Sequence, residues 1–361
     1  MSHLYKKFIN NRIDLYNSFT HALRKTNMMR TNAKWANHFH CSISYTRKIM
    51  NKTLTKIAVT GVSTVLGATA ALSLSIPAQA ATVKGIPGSA KDFNVFVFEN
   101  MDAKNTDAEG RTAVGGDANL EISVGSKLSP GSGDVLVVGG DLTYTSGNQI
   151  SGGDVVVGGT ADLSPGLNIK DGELRLEEPS IDFDAAEQFY KNYSAQLGGL
   201  TDDTPTLKVL NFTTSSLADE IANDLNIEFG SNSTVLVNVT GSELNLTGGE
   251  IKLNGDPSAT YANRVLFNFV EATKLSTSGF SWNGSVLAPM AHYDFNNGHA
   301  DGQVTVASLS GTGEFHNVPF DGNLPDPEPV PEPLTILGSG MALGFGAFFK
   351  RQQSKKQKNA N

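Results

Sequence analysis

The sequence predicts a mainly β protein: a β-helix, or solenoid, with one long α-helix packed along its side and a membrane-spanning segment near the C-terminus. Three observations lead there. Val-Gly-Gly elements begin at Val114, Val138 and Val157, at spacings of 24 and 19 residues, and Gly284-Ser-Val-Leu-Ala288 recurs as Gly302-Gln-Val-Thr-Val-Ala307 at a spacing of 18. Short β-branched runs closed by glycine at roughly 20-residue intervals mark stacked coils, with glycines expected to turn the corners at positive φ. One stretch only, 185–197, has a clear helical period, and apolar runs flank the body on both sides. A β-sandwich of short strands is the alternative, because the period is irregular.

The chain opens with residues 1–49, which hold nine Lys/Arg and one acid, Asp14, and no hydrophobic period. They fit a start codon set too early, with Met50 the true start. A long leader or a basic nucleic-acid-binding arm are the alternatives, and the secretion signal that follows would carry such an arm to the wrong compartment. Residues 50–80 read as a signal peptide. Met50–Lys56 is the basic n-region, Ile57–Ile76 the apolar h-region, and Ala78-Gln79-Ala80 a small-x-small site with cleavage before Ala81. This implies the Sec translocon and signal peptidase as partners. An uncleaved anchor is the other reading of a 20-residue apolar run, and Pro77 with Ala-Gln-Ala favours cutting.

The body, 81–322, is acidic. Between Ala81 and Phe349 stand 12 Lys/Arg against 35 Asp/Glu, a net of −23 that the whole-chain value of −8 hides. Such a surface repels nucleic acid and anionic membranes. The single cysteine, Cys41, lies in the leader, so the body has neither disulfides nor thiolate chemistry and must rely on a hydrophobic core. After the Val-Gly-Gly coils, Asp184 with Glu187 suggests a capping box for a helix over Ala185–Leu197. Ala186, Phe189, Tyr190, Tyr193 and Leu197 form its apolar stripe, and Gly198-Gly199 ends it. A weaker helix is expected near Ser216–Asn223, then strands over Ser233–Val239, Ile251–Leu253 and Arg264–Val270.

No catalytic set emerges, and the expectation is a non-enzyme without cofactor. There is no Gly-x-Ser-x-Gly elbow and no His-Glu-x-x-His, although a Ser-His-Asp triad need not be contiguous. His292 and His316 fall in strand or turn settings and His299 in a loop; His316 is expected to satisfy a buried hydrogen bond. Asp102, Asn105, Asp107 and Glu109 could gather oxygen ligands for Ca²⁺, but they lack EF-hand order and enclose Lys104, so a capped turn is preferred and no metal is assigned. Paired carboxylates of the glycosidase kind arise by chance among so many acids, and Arg111, Arg175 and Arg264 are the body's only arginines, too few for a groove that holds polyuronates. A binding module would instead present a flat polar or aromatic face, with Tyr144, Trp282 and Tyr293 as the aromatics to expose. Ice binding wants a Thr ladder at the coil period, and only Thr143-Tyr-Thr145 approaches one.

The C-terminal end carries an address. Residues 323–333 are a Pro/Glu linker ending in Pro331-Glu332-Pro333; 334–349 are an apolar segment; 350–361 are a basic tail that favours the cytoplasmic side. Sixteen helical residues span roughly 24 Å, marginal against a bilayer core of about 30 Å. Order, spacing and position resemble the PEP-CTERM sorting signal. The resemblance implies recognition and cutting by an exosortase, with the protein held transiently in the inner membrane before reaching the outer surface or extracellular matrix. A plain anchor that is never cut is the alternative. Phe93-Asn-Val-Phe-Val-Phe-Glu99, Asn105–Asp117, Gly284–Pro289 and Gly313–Phe320 together resemble the choice-of-anchor A domain across roughly 87–322. That likeness implies a right-handed β-helix with a long helix along one side, similar to the ice-binding adhesin scaffold. It also implies an adhesive or structural role toward surface glycans or matrix proteins, with a polysaccharide-active enzyme or an ice-binding protein as alternatives.

Overall fold

A computed structural model describes residues 82–328, apart from 146–147, 202 and 257–258. The leader, the cleavage residues Ala78, Ala80 and Ala81, the motif Pro331-Glu332-Pro333, the apolar segment 334–349 and the tail lie outside the described residues. Among the described residues no helix is long and apolar enough to cross a membrane.

The described chain winds into stacked coils whose strands pair in parallel along three faces. On the first face, ten strands follow one another in the order 207–213, 234–240, 265–269, 285–288, 304–306, 95–97, 112–114, 134–138, 154–157 and 174–176. The chain therefore starts in the middle of the stack. Its first coils run outward to 174–176, a helix carries it back, and a second set of coils returns inward until 304–306 pairs with 95–97. Parallel ladders exclude the sandwich, which is built from antiparallel pairs. An antiparallel pairing of Thr82–Lys84 with Asn323–Pro325 ties the two ends of the described chain together.

The spacings read from the sequence set the register directly. Val114 pairs with Val138 and Val138 with Val157, and Val286 pairs with Val304. The glycines act differently from the expectation. Gly115, Gly116, Gly139, Gly140, Gly158 and Gly159 are absent from the positive-φ positions. What they require is closeness: a β-carbon on Gly139 would stand 2.2 Å from the carbonyl oxygen of Gly115, and one on Gly158 2.4 Å from that of Gly139. The corners stack so tightly that side-chain atoms do not fit.

The first face is apolar on both sides, which is why its strands read as unbroken runs such as Val135-Leu-Val-Val138. Val95 and Val97 point into the solenoid, while Phe96, Ala113, Val137, Leu236, Leu266 and Leu287 point out into a second core beneath helix α1, Phe183–Gly198. The expected stripe is the buried one: Ala186, Tyr190, Tyr193 and Leu197 are buried, with Phe189 packed partly against them. The N-cap is Asp182, which accepts from the Ala185 amide at 2.9 Å; Asp184 sits inside the first turn, so the helix begins one residue before the expected cap. Its 16 residues cover about 24 Å, and five strand spacings of about 4.8 Å cover the same distance. Phe183 accordingly lies over Gly115, at the end of strand 112–114, where a β-carbon would stand 2.8 Å from its ring, while five strands away the Leu197 carbonyl accepts from Asn238 Nδ2 at 2.9 Å.

Helix α2, Thr214–Ala222, starts at a capping box on Thr213 and Ser216. It closes the outer end of the returning coils by burying Leu217 and Ile221 against the solenoid core. The later strands expected from the sequence are present at Thr234–Thr240, Lys252–Leu253 and Val265–Phe269. Tyr144, Trp282 and Tyr293, the aromatics offered for an exposed face, are instead fully interior, at 1%, 0% and 0% exposure. They occupy inward strand positions, and their polar atoms are satisfied there: Tyr293 Oη lies 2.9 Å from Thr277 Oγ1 and accepts from Trp282 Nε1 at 2.8 Å, and Tyr144 Oη donates to the Ile122 carbonyl.

Candidate functional site

On the second face, inward residues such as Leu244, Leu275, Tyr293, Leu309, Met101, Leu142 and Ala118 fill the solenoid, so their neighbours must point out. Those neighbours form one continuous register of eight: Asn245, Ser276, Asp294, Ser310, Asp102, Asn119, Thr143 and Asp162. All eight are short and polar, and all are exposed or half-exposed. Parallel pairing repeats them at about 4.8 Å along the stack. A flat surface carrying a regular row of hydroxyl, amide and carboxylate groups results, without an aromatic platform.

The middle of this face is an open depression of about 600 Å³ where the first coils meet the last. Asp102, Asp117, Asn119, Asp141 and Thr143 line it from one side, and His292, Ser308 and Ser310 from the other. Asp117 and Asp141 are half-used by the fold itself. Asn100 Oδ1 accepts from the Asp117 amide (2.9 Å), Asp117 Oδ1 from the Asp141 amide (2.9 Å), and Asp141 Oδ1 from the Thr160 amide (2.7 Å). These bonds from the Thr160 backbone and hydroxyl lower the Asp141 pKa. His292 bridges Ser308 Oγ at 2.9 Å and Ser310 Oγ at 3.2 Å, which occupies both ring nitrogens with hydroxyls and leaves no carboxylate partner for a triad.

The four residues considered for Ca²⁺ are divided between faces. Asp102 lies in the outward row, held by Lys104 at 3.2 Å and Asn119 Nδ2 at 3.2 Å. Asn105, at φ 54°, marks a register shift that turns the corner. Asp107 and Glu109 follow on the third face, beside the last coils.

That third face holds an arrangement the sequence did not reveal. His299 opens a strand, His299–Asp301, rather than lying in a loop, and this strand pairs with Glu314–His316 so that Asp301 faces His316. Asp301 Oδ1 accepts from His316 Nδ1 at 2.7 Å, and its Oδ2 lies 3.3 Å from His299 Nε2. The two imidazoles stack with centroids 5.0 Å apart. Asp301 is 6% exposed. Burial opposes its ionisation, but the hydrogen bonds from His299 and His316 prevail and hold it at about 2. The same bond from Asp301, with further acids nearby, pushes His316 up to about 9. Burial, then Glu314 and Glu109, raise the Asp107 pKa. The coil spacing here is 15 residues rather than the 18 seen on the first face, so a search at the longer period misses the pairing.

Residues 86–317 match the family described as "Putative Ice-binding-like adhesive domain". The chain belongs to this family of ice-binding-like adhesive domains. No curated protein matches it. Three solved structures are similar at low sequence identity. An ice-binding protein from an Antarctic biological consortium is 12% identical, covers 71% of this chain and 93% of its own, and has a TM-score of 0.30. An ice-binding protein from the Antarctic ascomycete Antarctomyces psychrotrophicus is 12% identical over 63% of this chain and 94% of its own, with a TM-score of 0.29. The ice-binding protein of an Arctic yeast is 14% identical over 67% and 95%, with a TM-score of 0.29. Membership in the adhesive-domain family rests on the match over 86–317, not on these superpositions.

Proposed function

We propose that this chain is an exported cell-surface or extracellular-matrix protein whose adhesive domain binds through the polar row of its second face. The observation that carries this reading is the unbroken eight-coil row from Asn245 to Asp162. A flat array of hydrogen-bonding groups on rigid strands loses little freedom on binding and suits an extended, hydrated partner. Surface glycans and other matrix proteins are such partners. The acidic body turns away nucleic acid. The role is non-enzymatic and needs no cofactor for binding.

Delivery follows from the two ends of the chain. The Sec translocon exports the chain, signal peptidase cuts before Ala81, the segment 334–349 holds the protein in the inner membrane, and an exosortase acts at Pro331-Glu332-Pro333. In this reading the solenoid is right-handed, as the resemblance to choice-of-anchor A domains implies.

Ice binding is the second reading, favoured by the family description. The row speaks for adhesion, since Thr143 is its one threonine and three of its eight members are aspartates. The test sets both against each other. The full chain, purified in detergent, is measured for binding to extracellular polysaccharide from its source cells and for thermal hysteresis in the same buffer. Saturable polysaccharide binding without hysteresis is expected; hysteresis without polysaccharide binding would replace the adhesive reading with the ice-binding one.

A further inference from the structure

We propose that His299, Asp301 and His316 form a binding site for a divalent transition-metal ion that clamps the last two coils together. Ligand atoms of the three side chains lie within 4.8 Å of one another. They come from two paired strands, 299–301 and 314–316, so an ion held by all three joins neighbouring coils. Two imidazole nitrogens and a carboxylate are the donor set of Zn²⁺ and its neighbours rather than of Ca²⁺.

Three further observations support the site. Each histidine has an outer partner on the nitrogen that would not bind metal: Ser281 Oγ lies 3.3 Å from His299 Nδ1, and Glu314 Oε2 lies 3.5 Å from His316 Nε2. Such contacts fix the tautomer and aim the other nitrogen inward. The spacing also fits. Tetrahedral bonds of about 2.0–2.1 Å put ligand atoms about 3.3 Å apart. His299 Nε2 stands 3.3 Å from Asp301 Oδ2 and His316 Nδ1 2.7 Å from Asp301 Oδ1, so the carboxylate lies between both rings and needs only to turn to offer one oxygen to a shared ion. Finally, the charge is right. Asp107, Glu109 and Glu314 border the cluster, and a cation there offsets the repulsion among these carboxylates.

A proton is the competitor. A metal must displace the proton that His316 Nδ1 donates to Asp301, so its apparent affinity rises with pH. A Cys-free exported domain would gain from the clamp, because it lies one strand from the seam where 314–316 meets 106–108.

The test is Co²⁺ and Zn²⁺ titration of the full chain in detergent after EDTA treatment. One equivalent of Co²⁺ with a visible d–d band is expected, displaced by Zn²⁺. His299→Gln and His316→Gln should each weaken it at least about a hundredfold, and Ser281→Ala and Glu314→Gln about tenfold. His292→Gln, on another face, should leave it unchanged. Circular dichroism separates lost binding from lost fold, and half-exposed His299 is the variant least able to disturb the core. Absence of a bound equivalent in folded protein, or binding that survives His299→Gln, would overturn the proposal.

Discussion

Gly139 has no room for a side chain, since the Gly115 carbonyl oxygen would meet its β-carbon at 2.2 Å. Gly131, by contrast, has nothing within 4 Å but a φ of +82°. Gly139→Ala is therefore expected to lower stability by about 3 kcal/mol and Gly131→Ala by about 1 kcal/mol, read as shifts in urea midpoint. Equal effects would mean that backbone conformation, not coil contact, selects the repeat glycines. The glycine pattern was legible in the sequence, but its cause was not, because contact between coils leaves no mark on the local residues. At the third face the titrating groups set a pH dependence. His316 in EDTA-treated protein is raised to about 9 by Asp301, so its contribution is fully present below the ordinary histidine value near 6.5 and is lost as pH rises through about 9. Asp301, held at about 2, contributes above its ordinary value of 3.8 and loses that contribution as pH falls through about 2. Melting temperature between pH 6 and 10 should fall in wild type, and His316→Gln should flatten that fall.

Helix α1 is tied to the first face by a file of asparagines. Asn211 pairs with Asn238 and Asn238 with Asn268 along the strands. Asn268 Nδ2 donates to the Ser194 carbonyl and to Asn238 Oδ1, both at 2.9 Å, while its Oδ1 accepts from Ser194 Oγ at 2.6 Å. Asn238, Asn268 and Ser194 are buried, while Asn211 is exposed at the end of the file, so removing a buried member strands its neighbours. Asn268→Leu is expected to cost about 3 kcal/mol and to speed amide exchange in 190–198 before it does so elsewhere. Uniform exchange along the whole chain would show that the file does not fix the helix in particular. The helix itself was legible from its stripe at i, i+3, i+4 and i+7. The asparagines were not, because in a β-rich sequence Asn reads as a turn residue until the register places it beside another Asn.

The described chain closes on itself: Val95 pairs with Val304, 209 positions away. No local period reports such a pairing, so the sequence gives coils but not the order in which they stack. The same closure assembles the open depression of the second face from opposite ends of the domain. The outer segments carry the proposed processing sites. Intact mass spectrometry of the surface fraction from source cells is expected to find a chain that starts at Ala81 and ends near Pro333. Retention of 334–361 would make the C-terminal segment a permanent anchor.

The most direct measurement of the adhesive account is binding of the full chain to its own cells' extracellular matrix after the outward row is blocked. Ser310→Tyr and Asn119→Tyr project bulk from the middle of the row, and Gln188→Tyr does the same from the exposed side of α1. The row variants should weaken binding by about tenfold or more while Gln188→Tyr leaves it intact. Undiminished binding by both row variants, in protein that remains folded, would contradict the assignment of adhesion to this face.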